Sequence, residues 1–289
     1  MAVSGRGLVI KFGTSGWRAV IADEFTYANV RLVAVAIGNY LKEQGIEGQG
    51  VVVGYDTRFM SDLFGKQAGA VLTKEGIPVA YSVRDVPTPV IAFTVIDRRA
   101  AGAINITASH NPPQYNGIKF SPASGAPAPP EVTQAIEAEI NKLQLQGVEV
   151  SPVDPVKELF SEVDFASAYL RDLESKIASP VLIASPQKVA YNALWGTGRG
   201  YVDRILRDAG WRVDVMHGDL NPLFGGKRPE PSEEEMGDFL EMVKDGDPLW
   251  DWPLMVMLTV LVWLTKGDAS YVPITYWRWL RSILLKTRA

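Results

Sequence analysis

Thr107-Ala-Ser-His-Asn-Pro-Pro-Gln-Tyr-Asn-Gly-Ile-Lys119 follows an apolar run, Ala100-Ala-Gly-Ala-Ile-Asn-Ile106, and leads into Gly117-Ile-Lys-Phe120. The apolar run reads as a buried strand and the second segment as another short strand, so an inter-strand loop is predicted between them. A hydroxyl (Ser109), an imidazole (His110) and an ammonium (Lys119) share this short piece of chain. Two prolines and a glycine stiffen or sharpen it. In open α/β sheets, chemistry gathers in loops beyond the carboxyl ends of strands. Such a loop suits a serine that carries a phosphoryl group while cationic neighbours hold its charge. Asn-Pro-Pro and Tyr-Asn-Gly are also ordinary turn vocabulary, and on composition alone a plain surface turn is the simpler reading.

On the amino-terminal side, Lys11-Phe-Gly-Thr-Ser-Gly-Trp-Arg18 comes after a strand-like run, Leu8-Val-Ile-Lys11. Its glycines let the backbone bend closely, and Thr14, Ser15 and Arg18 offer donors suited to an anion. Between the two motifs helix and strand patterns alternate. Helices are predicted over 29–44 and 63–75, and strands over 51–55 and 77–83. Asp56-Thr-Arg58 sits at the end of the first of these strands, where a structural ion pair is the plainer role. A helix is predicted over 131–145, and the Pro- and Gly-containing stretch 147–155 is the predicted linker. Beyond it the pattern predicts a helix over 163–177, a strand over 188–194, a glycine turn (Gly196-Thr-Gly-Arg-Gly200), a helix over 201–208 and a strand over 211–217. Gly196–Gly200 lacks the spacing of a nucleotide fingerprint and reads as a tight turn. His217 reads as structural. Repeated βα units with apolar strands imply a sheet with helices on both faces.

The string Thr-Ala-Ser-His-Asn-Pro-Pro-x-x-Asn-Gly-x-Lys resembles the active-site loop of the α-D-phosphohexomutases, the phosphoglucomutase/phosphomannomutase family. Phe12-Gly-Thr-Ser-Gly-x-Arg18 resembles the other signature of that family's first domain. The loop Asn221-Pro-Leu-Phe-Gly-Gly-Lys-Arg-Pro-Glu-Pro231 is similar to one in the second domain, so the resemblance runs from about Lys11 to Val243. It implies an α/β fold: a mixed sheet sandwiched by helices in domain I (1–150), then an incomplete α/β/α domain II (151–248). The implied reaction moves a phosphoryl group between the anomeric oxygen and O6 of a hexose phosphate through a bisphosphorylated intermediate. Ser109 would be the phosphorylated residue and Lys119 the general acid/base. Arg18 would neutralise developing charge, and His110 would steady the loop. Thr14, Ser15, Asn111 and Asn116 are the candidate substrate- and phosphate-binding residues. The implied cofactors are Mg²⁺, bound against the phosphoserine, and a hexose 1,6-bisphosphate as activator and intermediate.

The resemblance breaks near the carboxyl terminus. The family's Asp-Gly-Asp-x-Asp-Arg turn, whose carboxylates hold the magnesium ion, is missing, and Asp247-Pro-Leu-Trp-Asp-Trp-Pro-Leu-Met-Val-Met-Leu-Thr-Val-Leu-Val-Trp263 stands in its place. Of the expected metal ligands only Ser109, through its phosphate, is present; Asp245-Gly-Asp247 precedes the strand position. Five of the chain's eight tryptophans (Trp250, Trp252, Trp263, Trp277 and Trp279) crowd this end. Back-translation of Leu249–Trp263, read one nucleotide earlier, is compatible with Leu-Gly-Leu-Ala-Thr-Asp-Gly-Asp-Ala-Asp-Arg-Phe-Gly-Val, the missing strand and metal turn. Residues 249–289 are therefore expected to be an out-of-frame tail. The competing readings are a plain buried strand and a peripheral membrane anchor built on Leu254–Leu264 with Trp277, Arg278, Trp279 and Arg281 at the interface. The apolar run is too short for the roughly 20 residues a spanning helix needs. The family's third and fourth domains have no room in the chain, so little or no mutase turnover is expected. The non-enzymatic alternative is a half-protein that binds a phosphosugar.

With 289 residues, 47% of them hydrophobic, there is material for about two domains. A net charge of -4 argues against a general nucleic-acid surface. There are no cysteines and only two histidines, which excludes a disulfide framework and a thiolate or histidine-rich metal centre. The amino terminus lacks the layout of a signal peptide, so a cytoplasmic protein is the expectation, and the resemblance implies a hexose phosphate as its partner.

Overall fold

The computed structural model describes residues 10–176, 188–232, 234–245, 252–256, 261–265 and 268–274. The chain divides into two compact units, one of residues up to Ala108 with Gln114–Phe165, the other of Ser109–Pro113 with the residues from Ala166 on.

The first unit is built on a six-stranded sheet: β1 (Trp17–Val20), β2 (Val51–Tyr55), β3 (Val79–Ser82), β4 (Gly102–Ile106), β5 (Tyr115–Pro122) and β6 (Phe160–Val163), in the order β1-β5-β4-β2-β3-β6. β4, β2, β3 and β6 run parallel, β5 lies antiparallel to β4, and β1 lies antiparallel to β5. The helices are α1 (Tyr27–Glu43), α2 (Ser61–Lys74), α3 (Thr88–Arg98) and α4 (Pro130–Leu145). Their starts and stops follow local chemistry. Thr26 accepts from the Asn29 N–H at the start of α1, and Gly45 in the left-handed region ends it.

Strand alternation distributes these helices over both faces. Val51 and Val53 of β2, with Ile104 and Ile106 of β4, join the core made by α1, α2 and α4. Gly54, one step out of phase, lies against Ile91 of α3, where an added Cβ would approach to 2.6 Å. The alternation predicted by the apolar strand pattern is thus realised as an α/β sandwich. The apolar burial it achieves, at about 25 cal/mol per Å², is the main stabilising term.

Three boundaries differ from the sequence expectation. Ile10 and Lys11 form no strand; the turn Gly13–Gly16, closed by Gly16 N–H to Gly13 C=O at 2.7 Å, delays the strand to Trp17. The compact unit runs on past the predicted linker at 147–155. β6 pairs with β3 as an edge strand, and Phe160 stacks on Tyr81 with ring centroids 5.4 Å apart, so the division falls at Phe165. The predicted short strand 117–120 is the longer β5, which takes in Tyr115 and Asn116.

The second unit contains α5 (Phe165–Lys176), β7 (Lys188–Asn192), α6 (Val202–Asp208), β8 (Arg212–Met216), α7 (Gly237–Asp245), β9 (Trp252–Val256), β10 (Leu261–Thr265) and β11 (Asp268–Ile274). Its sheet has the order β11-β10-β9-β7-β8. β7 is parallel to both β8 and β9, and β9, β10 and β11 form an antiparallel meander. Its buried cluster is Val189, Tyr191, Ala193, Leu206 and Val213. Segments of the expected out-of-frame tail therefore pair as strands, while Gly246–Asp251 and residues 275–289, including Asp247, Trp277, Arg278, Trp279 and Arg281, lie outside the described residues. Among the described residues no helix is long and apolar enough to cross a membrane.

Candidate phosphoryl-transfer site

β1 and β5 put two cations side by side on one face of the sheet. Trp17 pairs with Ile118 and Arg18 with Gly117, while Lys119 pairs with Asn105 across β4. Residues 117 and 119 have the same parity, so Arg18 and Lys119 share the face opposite Trp17 and Ile118, which are in the core. Both side chains lie over glycines. A Cβ on Gly117 would meet Arg18 Cγ at 3.0 Å and the Thr107 and Trp17 carbonyl oxygens at 2.6 and 2.8 Å. A Cβ on Gly16 would meet Lys119 Cγ at 2.8 Å and the Ile118 carbonyl oxygen at 2.3 Å, and Gly16 has φ +76° besides. Any other residue at either position would push a cation's stem aside.

A third cation comes from the end of β2. Arg58, its side chain wholly buried, lies 3.3 Å from Asp56 Oδ2 and donates through Nη1 to the Tyr115 carbonyl at 2.9 Å. Burial lowers the Lys119 ammonium to about 8, with Arg18 and Arg58 pushing the same way and Asp56 opposing them. Burial also lowers the Arg18 and Arg58 guanidinium groups, Arg58 being further lowered by Arg18 and held up by Asp56. An amine near 8 both accepts and returns a proton at physiological pH, as acid/base catalysis requires.

The loop that carries Ser109 leaves β4 and returns into β5, its neck closed by Thr107 N–H to Gly117 C=O at 2.9 Å. Ser109 is half-buried with φ +56°, a left-handed conformation that costs a non-glycine residue about 1 kcal/mol or more and recurs at functional sites. His110 is exposed and Asn111 half-buried. Thr14 and Ser15 are exposed in the Gly13–Gly16 turn.

Asn116 stands differently from its expected place. It is fully buried, its amide donating to Ser61 Oγ at 2.9 Å while its Oδ1 accepts from the Gly117 N–H at 2.8 Å. These bonds run into the wall under β5. Arg58 was absent from the sequence candidates, although the Tyr-Asp-x-Arg string directly after a β-branched strand was the available signal.

In the second unit the glycine turn is tied to itself. Gly196 N–H donates to Ala193 C=O at 2.8 Å, Arg199 to Gly196 C=O at 2.8 Å, and Gly200 N–H to Asp203 at 2.7 Å. His217 Nδ1 lies 3.0 Å from Asn192 Oδ1, its ring stacks on Trp195 at 3.6 Å, and burial lowers its pKa. Among the described residues no group of three or more His, Asp or Glu side chains is gathered to hold a metal ion. Beside β7, where the acidic turn was sought, β9 brings Trp-Pro-Leu-Met-Val. Among the described residues, then, none are grouped to fit a magnesium ion.

Residues 9–147 match the phosphoglucomutase/phosphomannomutase alpha/beta/alpha domain I, and residues 167–250 match domain II. Over 233 residues the chain is 31% identical to a "probable phosphoglucosamine mutase" of Methanosphaera stadtmanae, covering 81% of this chain and 50% of that protein. It is 30% identical to a phosphoglucomutase/phosphomannomutase of Thermococcus kodakarensis, again over 81% of this chain and 50% of the relative. A crystal structure described as a "putative phosphomannomutase" from Thermus thermophilus superposes with a TM-score of 0.81 at 32% identity, covering 91% of this chain and 58% of that one. The chain thus spans about half the length of the curated relatives it matches.

Proposed function

The chain belongs to the phosphoglucomutase/phosphomannomutase family, and on that footing we propose that Ser109 carries a phosphoryl group to and from a hexose phosphate. The observation that carries the proposal is that Arg18 and Lys119 share one sheet face, over Gly117 and Gly16, with Lys119 on β5, into which the serine loop runs, and Arg18 on β1 beside it.

Bonds and protons balance in the transfer. A sugar hydroxyl attacks phosphorus of phosphorylated Ser109; the new P–O bond forms as the serine P–O bond breaks. Neutral Lys119 accepts the proton of the attacking hydroxyl, and that proton is returned to the serine oxygen as it leaves. Arg18 meets the charge spread over the phosphoryl oxygens. Placement and charge stabilisation are most of what phosphoryl transfer asks of a protein. His110 and Asn111 are proposed to hold the loop, Thr14 and Ser15 to contact the anion, and Asn116 to brace the strand beneath. In the family, magnesium supplies charge neutralisation at the phosphoserine.

Full turnover is proposed to be low, because Leu254–Thr259 offers no carboxylate where the metal turn belongs. The test is incubation with glucose 1,6-bisphosphate followed by mass spectrometry of the Ser109 peptide. Phosphate on Ser109, absent in Ser109→Ala, with slow conversion of glucose 1-phosphate, is the expected result. An unmodified Ser109 at millimolar bisphosphate would refute the carrier role. Rapid Ser109-dependent conversion would refute the low turnover. Bisphosphate binding without transfer would point to a phosphosugar-binding half-protein.

A further inference from the structure

A buried polar chain connects the end of β2 to the strand that carries Lys119. Asp56 N–H donates to Ile106 C=O at 2.9 Å, so the turn after β2 is fixed to the end of β4. Asp56 Oδ1 accepts from Arg58 N–H at 3.0 Å and from Ser61 Oγ at 2.8 Å. Ser61 Oγ in turn accepts from Asn116, and Arg58 donates to the carbonyl of Tyr115, the first residue of β5. The side chains of Arg58 and Asp56 are 0% and 2% exposed. A buried ion pair loses much of its attraction to desolvation, and a neutral pair often holds a backbone as well.

We infer that Asp56 and Arg58 are positioning residues for Lys119, fixing the start of β5 and setting the electrostatic field in which its amine works. The inference rests on the proposed role of Lys119 as the proton carrier. Three charged groups act on that amine: Arg18 from β1, and Asp56 and Arg58 from the turn after β2. Arg18 and Arg58 favour the neutral amine, while Asp56 favours the ammonium. The buried pair therefore pulls in two directions. Removing one member unbalances the field in a direction that depends on which is removed.

The experiment reads the Lys119 amine directly. The whole chain is labelled with an acetylating reagent across pH 6 to 11, and modification of the Lys119 peptide is followed by mass spectrometry. The wild-type amine is expected to label half-maximally near pH 8. Arg58→Met is expected to move that midpoint up, toward the ordinary 10.5, by about one pH unit. Asp56→Asn is expected to move it down by at least as much, and Arg58→Lys to restore the wild-type midpoint. Asp56→Asn leaves a buried guanidinium without its carboxylate and endangers folding, so the neutral double variant Asp56→Asn/Arg58→Met is included. Its midpoint is expected between those of the single variants.

A pair that served only to hold the backbone would, on loss of either member, expose Lys119 and raise the midpoint in every variant. That outcome, or no movement in any folded variant, overturns the inference. Labelling does not depend on phosphoryl transfer. A Ser109 that never takes up phosphate would sink the carrier proposal and leave this result readable, and the reverse also holds.

Discussion

The carboxyl ends of the two parallel strand sets, β2 and β4 in one unit and β7 and β8 in the other, make different use of the same kind of place. In the first unit, three cations gather with a single carboxylate, and one of them is an amine lowered to about 8. In the second, Asn192, Trp195 and His217 hold one another, and the glycine turn beside them is tied to local groups, the Arg199 guanidinium and the Asp203 carboxylate. Strained backbone occurs at both ends: Ser109 at φ +56° in one, Leu194, Trp195 and His217 at φ +49°, +53° and +53° in the other. Strain and burial alone therefore do not mark a site. Excess like charge, kept where an anion would relieve it, distinguishes the first end from the second.

The largest expected effect separates the ends outright. Ser109→Ala should abolish phosphate uptake from glucose 1,6-bisphosphate, while His217→Ala should leave uptake unchanged and lower stability by about 1 kcal/mol through the lost stack and hydrogen bond. Loss of uptake in a folded His217→Ala protein would break the contrast. Next comes Gly117→Ala. Its Cβ has no room against the Thr107 and Trp17 carbonyl oxygens at 2.6 and 2.8 Å. It should cost about 3 kcal/mol, seen as a fall in Tm of several degrees. Gly237→Ala in the second unit, where no neighbour lies within 4 Å, should change stability by under about 0.5 kcal/mol.

Lys119→Met is expected to stabilise. The folded amine titrates near 8 and the unfolded one near 10.5, so between those values the unfolded chain binds a proton that the native state has released. Native stability therefore rises with pH across that window, and the burial cost is present in full below it. The gain from Lys119→Met should be on the order of 2 kcal/mol at pH 7, discounted for partial exposure, and should vanish by about pH 10.5. Urea unfolding of both proteins at pH 7 and pH 10 checks this; equal gains at the two pH values would mean that the amine is not the cause.

Much of the first unit, and the serine loop that connects two of its strands, was legible because the devices are local. Period-two apolar strands, helices closed by Gly45 and opened by Pro130, and a serine loop between strands are each written in a few adjacent residues. What escaped depended on partners far along the chain. Phe160-Ser-Glu-Val163 is short and half polar, and it becomes a strand only because Val79–Ser82 offers a free edge and Tyr81 a ring to stack on. Leu8–Lys11 has the composition of a strand, yet its described residues, Ile10 and Lys11, form none, and after the Gly13–Gly16 turn the strand is Trp17–Val20, whose in-out alternation puts Arg18 on the face of Lys119. Asn116 looked like a ligand-binding amide in sequence. Only the approach of Ser61, which begins α2, shows that the amide points into the wall. The Tyr-Asp-x-Arg turn was visible, but its grip on β5 was not, since Asp56–Arg58 and Tyr115 are joined only in three dimensions.

The smallest expected effect is none, and it bears on the second unit alone. A magnesium site with a dissociation constant near 0.1 mM would add about 2.7 kcal/mol to stability at 10 mM metal, several degrees in Tm. Such a site takes several hard oxygen ligands. Between Asp247 and Trp263 the chain has one carboxylate, Asp251, and the six residues Leu254–Thr259 have none. Thermal unfolding with 10 mM Mg²⁺ and with EDTA should therefore coincide. Repeating the comparison after phosphorylation of Ser109 asks whether the seryl phosphate alone recruits the ion. Coincident curves there too would mean that the seryl phosphate alone does not recruit the ion. A metal-dependent rise confined to the phosphorylated protein would place the ion on the seryl phosphate, and a rise in the unphosphorylated protein would mean that the chain has ligands its sequence does not declare.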